Sequence, residues 1–241
     1  MRSAGNGRRA GGGQLTLPLE KRSPRRRRRR GQLGRVPHRA RPVHKGRHPV
    51  HVTLRARSGL PSLRQQLVHA LVLRVLAAQR KRSYKDAFQI VHLSIQANHI
   101  HMLVEADDGP TGAPSTRRKN ALRSGVSGFV IALARRLNAL LHRKGKVWDD
   151  RYHRHDLASP HEVRTSLRYV LANFRKHQRV FGVGADPFSS GQHFDGWSEP
   201  LVAVFPEPEP WPDIRARTWL LRKGWRIHGL IGPWEVPGQR A

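Results

Sequence analysis

Residues 88–105 read FQIVHLSIQANHIHMLVE, and this stretch decides both the fold and the candidate chemistry. Apolar and β-branched residues dominate Phe88 to Ile95 and again Ile100 to Val104, with Gln96, Ala97 and Asn98 between, which is how a hairpin of two buried strands is written. His99 and His101 flank Ile100 in the second strand. Successive side chains of a strand turn to opposite faces, so residues two apart share one face and the two imidazoles point the same way. Such a pair can hold one metal ion. It can equally be two hydrogen-bonded core histidines, in a chain that has 15 of them.

Outward from the hairpin the text alternates between strand and helix. Upstream, PVHVTLRAR from Pro49 alternates with Val50, Val52 and Leu54 on one face, the pattern of a first strand. Leu60 to Arg82 follows with Pro61 and Ser62 as starters and Leu63, Leu67, Ala70, Leu71, Arg74 and Ala78 at helical spacing. Downstream, the turn DDGPTGAPS leads to Ala121–His142, a second long helix despite Gly125 and Gly128, with Phe129, Ala132, Leu133, Leu137 and Leu140 as core. GKVWDDRYHRH reads as a short fourth strand running into a loop. Ser159-Pro160-His161-Glu162 then opens a helix that runs to about His177, with proline at its first position and a capping acid.

The order β-α-β-β-α-β-α predicts an α+β ferredoxin-like sandwich with one additional C-terminal helix, spanning residues 49–182. That helix carries Tyr169 and Asn173, four residues apart and so on one face. Fold names no chemistry, but a tyrosine and a possible metal ligand arrive on it together.

Charge narrows the partner. The 241-residue chain has a formal net charge of +30, distributed unevenly: 16 Lys/Arg against one acid in residues 1–50, 24 against 8 in 51–182, and 6 against 7 in 183–241. A field of that size implies a polyanion, nucleic acid being the commonest, and ribosomal or other RNA-binding proteins share the composition. The absence of cysteine excludes disulfides, thiolate nucleophiles and Cys-ligated zinc. No apolar stretch is long enough to span a bilayer, and the reading is of a soluble, intracellular protein with no membrane partner.

Two segments lie outside the sandwich. Residues 1–48 are Gly-, Arg- and Pro-rich, with the run Arg25, Arg26, Arg27, Arg28, Arg29 and Arg30, and are expected to be a disordered arm that contacts phosphates without reading sequence; a solvated tail, or a start upstream of the true domain, is the other reading. Residues 183–241 hold five of the six tryptophans, at 197, 211, 219, 225 and 234, with a short helix and turn expected at 218–229. Interleaved with Arg215, Arg217, Arg222 and Arg226, these rings either stack on unpaired bases or staple the extension to the main domain.

Taken together, HVTLR, NHIHMLVE, a tryptophan before an RYH segment, and RYVLAN resemble the single-tyrosine HUH transposases, especially the REP-associated tyrosine transposases. The resemblance covers roughly residues 45–178. It departs after Asn173, where Phe174-Arg175-Lys176 replaces the proline-containing continuation common in that family. It implies that Tyr169 is the catalytic nucleophile, that His99, His101 and Asn173 hold a divalent metal, Mg²⁺ or Mn²⁺, and that the substrate is single-stranded or hairpin DNA. A monomer or homodimer acting in the cytoplasm, associated with the nucleoid, follows from the same resemblance.

The implied chemistry is coherent. Strand joining needs a nucleophile, a cation at the scissile phosphate and a store of bond energy; a phenol supplies the first and third as a covalent ester, and a metal held by imidazole and amide oxygen supplies the second. Of the three tyrosines, Tyr84 precedes the hairpin, Tyr152 lies in the loop after Trp148, and only Tyr169 has a companion ligand at helical spacing. The rival readings are a non-catalytic DNA- or RNA-binding protein that retains the fold, and a basic RNA-processing protein.

Overall fold

The computed structural model describes residues 41–80, 87–107, 120–178, 185–201, 212 and 214–236. The arginine run 25–30, Tyr84 and Trp211 lie outside them. Four strands, β1 (Val50–Arg55), β2 (Phe88–Ile95), β3 (His99–Ala106) and β4 (His153–Asp156), and three long helices, α1 (Gln66–Arg80), α2 (Ala121–Leu140) and α3 (Pro160–Gln178), follow one another in the order expected. The sheet runs β2-β3-β1-β4 with every neighbouring pair antiparallel, which is the ferredoxin-like arrangement.

Strand alternation sorts the side chains between the two faces. Val50, Val52 and Leu54 of β1 join Ile100, Met102 and Val104 of β3 in a core shared with α1 and α2. The intervening residues His51, Thr53 and Arg55, with His99, His101 and Leu103, therefore face α3. In β2 the period breaks: Phe88 and Ile90 join the α1/α2 core, and so do Leu93 and Ile95, an odd spacing made possible by a bulge between Ile90 and His92.

α2 forms although Gly125 and Gly128 each cost about 1 kcal/mol of helix propensity. Phe129, Leu133 and Leu137 are wholly buried, and at roughly 1.5–3 kcal/mol each their burial outweighs the glycines. Gly125 has a packing reason as well. A Cβ there would fall 2.1 Å from Cγ of Phe88, so only glycine lets the helix approach β2 so closely.

Three expectations shift. α1 begins at Gln66 rather than near Leu60, and the segment before it is fastened to the β2–β3 turn instead, the Leu63 N–H donating to Ala97 O at 2.8 Å. Its buried face is Val68, Val72, Val75 and Leu76, not the stripe through Leu67, Arg74 and Ala78, and Leu67 is left 68% exposed. The fourth strand comes after the loop, at His153–Asp156, while the Trp148 region makes only a single bridge to Ala56. The start of α3 is as expected: the Ser159 hydroxyl accepts from Glu162 N–H at 3.2 Å, and the Glu162 carboxylate accepts from Ser159 N–H at 3.0 Å.

Beyond α3 the chain returns to the sheet. Arg64 makes a bidentate pair with buried Asp186 (2.8 and 2.9 Å), and Ile95 N–H donates to Phe188 O, which fastens residues 186–190 along the edge strand β2. A short helix, α4 (Trp219–Arg222), capped by Thr218, and a 3-10 turn at Gly224–His228 pack on α3. Trp225, Leu221, Ile231 and Phe194 form a second core there with Leu103, Leu167, Val170 and Leu171. Among the described residues no helix is long and apolar enough to cross a membrane.

Candidate active site

On the α3 face, two strands and one helix bring four rings together. His101, 3% exposed, is paired across the sheet with Thr53, and its Nδ1 lies 3.1 Å from Thr53 Oγ1 and 3.2 Å from His51 Nε2. The His99 ring stands 4.6 Å from the His101 ring, nearly perpendicular to it, and its Nδ1 is 2.7 Å from Asn98 Oδ1. The Tyr169 ring meets His101 edge-on at 4.9 Å and His51 at 5.8 Å. Sequence spacing brought His99 and His101 to one face; the packing of α3 brings Tyr169 to them.

Asn173 lies one turn beyond Tyr169 and is wholly buried, and neither Oδ1 nor Nδ2 of its amide has a hydrogen-bond partner among the described residues. A buried amide left in that state costs on the order of 1–3 kcal/mol. Two imidazoles whose Nδ1 atoms are already engaged, by Asn98 and by Thr53 and His51, and the amide oxygen of Asn173 are groups that could hold a divalent ion. Engagement of Nδ1 orients such rings and directs Nε2 to a metal. Among the described residues no group of three or more His, Cys, Asp or Glu could hold a metal.

Electrostatics at the site follow from burial. Desolvation, with a smaller contribution from nearby His155, pushes the His51 pKa down to about 4, so its ring is neutral at pH 7. Burial raises the Tyr169 phenol above its ordinary value, which keeps it protonated until a cation or base acts on it. Exposed Arg55 stands opposite His99 in the strand register, placing a cation at the rim on the same face.

Tyr152 is differently placed. Its ring packs with the α1/α2 core and carries the Arg41 guanidinium 3.9 Å above its centroid. His51 and Thr53 were not singled out in the sequence. The signal was there: in PVHVTLRAR the alternation that buries Val50, Val52 and Leu54 puts His51, Thr53 and Arg55 on the opposite face, alongside the histidine pair.

No protein-family model matches the sequence, and no curated protein does. Solved structures similar to it at low identity include the following two. One, a REP-associated tyrosine transposase bound to a REP hairpin, is 18% identical over 63% of this chain and 81% of its own, with a TM-score of 0.43. The other, named a "putative transposase" from Deinococcus radiodurans R1, is 17% identical over 58% of this chain and 96% of its own, with a TM-score of 0.34.

Proposed function

We propose that the protein is a transposase of the single-tyrosine HUH kind, a metal-dependent endonuclease and strand transferase acting on single-stranded DNA that bears hairpins. The observation that carries this reading is the juxtaposition on one sheet face of Tyr169, 4.9 Å ring to ring from His101, with the partnerless buried amide of Asn173 one helical turn further on. His99, His101 and Asn173 hold the cation, and His51 and Thr53 keep His101 in the tautomer whose Nε2 carries the lone pair. Bound there, Mg²⁺ or Mn²⁺ neutralises charge developing on the scissile phosphate.

The Tyr169 oxygen attacks phosphorus as its proton leaves, the bond to the 3′ oxygen breaks, and that oxygen takes up a proton. The products are a 5′-phosphotyrosine and a free 3′-OH, and attack by a 3′-OH on the ester reverses the step at a new junction. Arg55 at the rim, and the run Arg25 to Arg30 on the arm, neutralise backbone phosphates. The enzyme works as a monomer or homodimer on DNA in the cytoplasm.

The rival reading is a non-catalytic DNA- or RNA-binding protein that retains the fold, which the net charge of +30 suits equally well. Incubation with labelled hairpin-bearing single strands and Mn²⁺ separates the two. Wild type is expected to yield a denaturant-resistant adduct and Tyr169→Phe none, while Tyr152→Phe keeps it. Absence of adduct from wild type across varied hairpins favours the binding protein, and an adduct lost only in Tyr152→Phe overturns the assignment of the nucleophile.

A further inference from the structure

The structure divides the C-terminal tryptophans into two kinds. Trp225 is 1% exposed and donates to Leu221 O, and Trp197 donates to Gly191 O at 2.7 Å; both hold the extension to α3 and the sheet. Trp219 and Trp234 are 57% and 55% exposed. Each is nonetheless supported on one side. A Cβ on buried Gly224 would fall 2.5 Å from Cζ3 of Trp219, and one on buried Gly232 would fall 3.1 Å from Cε2 of Trp234, so each indole rests on a glycine backbone.

Leaving two large rings half in water forgoes the burial that the same segment achieves for Trp225. Their surroundings name what would cover them. Residues 214–236 carry one acid, Glu235, which is held by Arg164 at 2.7 Å and Arg168 at 3.2 Å; Arg226 pairs with Asp195 at 2.9 Å, and the neighbouring cations Arg222 and Lys223 are exposed. A neutral apolar partner would have to desolvate those cations, whereas a polyanion with flat faces would pair with them and stack on the rings. Glu235, which follows Trp234 directly, is fastened by Arg164 and Arg168 to α3, the helix that also carries Tyr169.

We propose that Trp219 and Trp234 form a stacking platform for unpaired bases of single-stranded DNA, with Arg222 and Lys223 on its phosphates. Rings supported from behind and open in front accept any base face, so the platform grips strands without reading sequence. Its choice of single-stranded DNA rests on the proposed function; stacking itself needs neither the metal nor Tyr169.

The test is therefore run in EDTA, where no cleavage occurs, with anisotropy titrations of the full chain on labelled oligothymidine and on an abasic strand of equal length and charge. Trp219→Ala and Trp234→Ala are each expected to weaken oligothymidine binding by about 5- to 150-fold while leaving abasic binding unchanged. Trp219→Phe keeps a ring on Gly224 and should recover most of the affinity, which separates lost stacking from lost folding. Equal losses on both strands, or no loss on oligothymidine, would overturn the platform. So would self-association of wild type that either alanine variant abolishes in sedimentation, since the rings would then cover one another. Adduct formation with Mn²⁺ is scored separately, and either result can fail while the other stands.

Discussion

Replacing Glu105 by glutamine should destabilise the fold by loosening the segment at residues 217–218, because this carboxylate, 3% exposed at the end of β3, ties that segment to the sheet. Its Oε1 accepts from Thr218 N–H at 2.9 Å and Thr218 Oγ1 at 2.6 Å; its Oε2 accepts from Arg217 N–H at 2.8 Å and Gln89 Nε2 at 2.6 Å. Glutamine keeps the size but turns one acceptor into a donor. The least costly placement puts the amide nitrogen at the Oε1 position, where the Thr218 hydroxyl can turn to accept, and leaves Thr218 N–H facing a donor. An orphaned buried N–H costs about 1–3 kcal/mol, and each surviving bond falls from about 1.5–3 to about 0.5–1.5 kcal/mol once its acceptor is neutral. The smaller desolvation cost of an amide offsets part of this. A net loss of about 2–4 kcal/mol remains, which at about 2–3 kcal/mol per molar urea lowers the unfolding midpoint by roughly 1 M. Urea titration followed by tryptophan emission reads this through buried Trp225. An unchanged midpoint would refute the reasoning, since it would mean the four bonds add nothing over their solvated alternatives.

Calorimetric titration with Mn²⁺ should give one site in the wild type and no measurable binding in His101→Ala, and equal affinities would remove the metal assignment. Acid should destabilise the fold through His92, whose pKa burial lowers to about 4, against a smaller opposing pull from Asp195. The unfolded chain takes the proton near pH 6.5 while the folded chain waits until about 4, so stability is constant above that window and falls as pH drops through it, by up to about 3 kcal/mol. His92→Gln keeps a partner for Ser190 Oγ, 3.2 Å from Nδ1 in the wild type, and should flatten the dependence of unfolding free energy on pH; identical profiles would contradict this. Deleting residues 1–47 should make the salt dependence of single-strand binding shallower, by about 0.7 in slope for each phosphate the arm neutralises, without changing the ranking of oligonucleotides.

Much of the architecture was determined by local sequence. Alternation in PVHVTLRAR, the two apolar runs either side of Gln96-Ala97-Asn98, and the Ser159–Glu162 capping box each specify an element through interactions that reach only a few residues, and all three stand where expected. The pairing of His99 with His101 on one face follows from strand geometry alone, and that of Tyr169 with Asn173 from helical geometry alone. What joined the two pairs was tertiary. The distance from Tyr169 to His101 depends on how α3 seats on the sheet through Leu167, Val170 and Leu171, and no local pattern encodes that. The same holds for His51: its face was readable from period two, but its place beside both His101 and Tyr169 required the β1–β3 register. The bulge in β2 leaves a trace in the sequence, where apolar Phe88 and Ile90 give way to Leu93 and Ile95 across Val91-His92, but only the register with β3 identifies that break as a bulge. The fate of the tryptophans was least legible of all. Whether an indole is buried like Trp225 or left open like Trp219 is decided by which distant residues arrive to cover it, and composition carries no record of those arrivals.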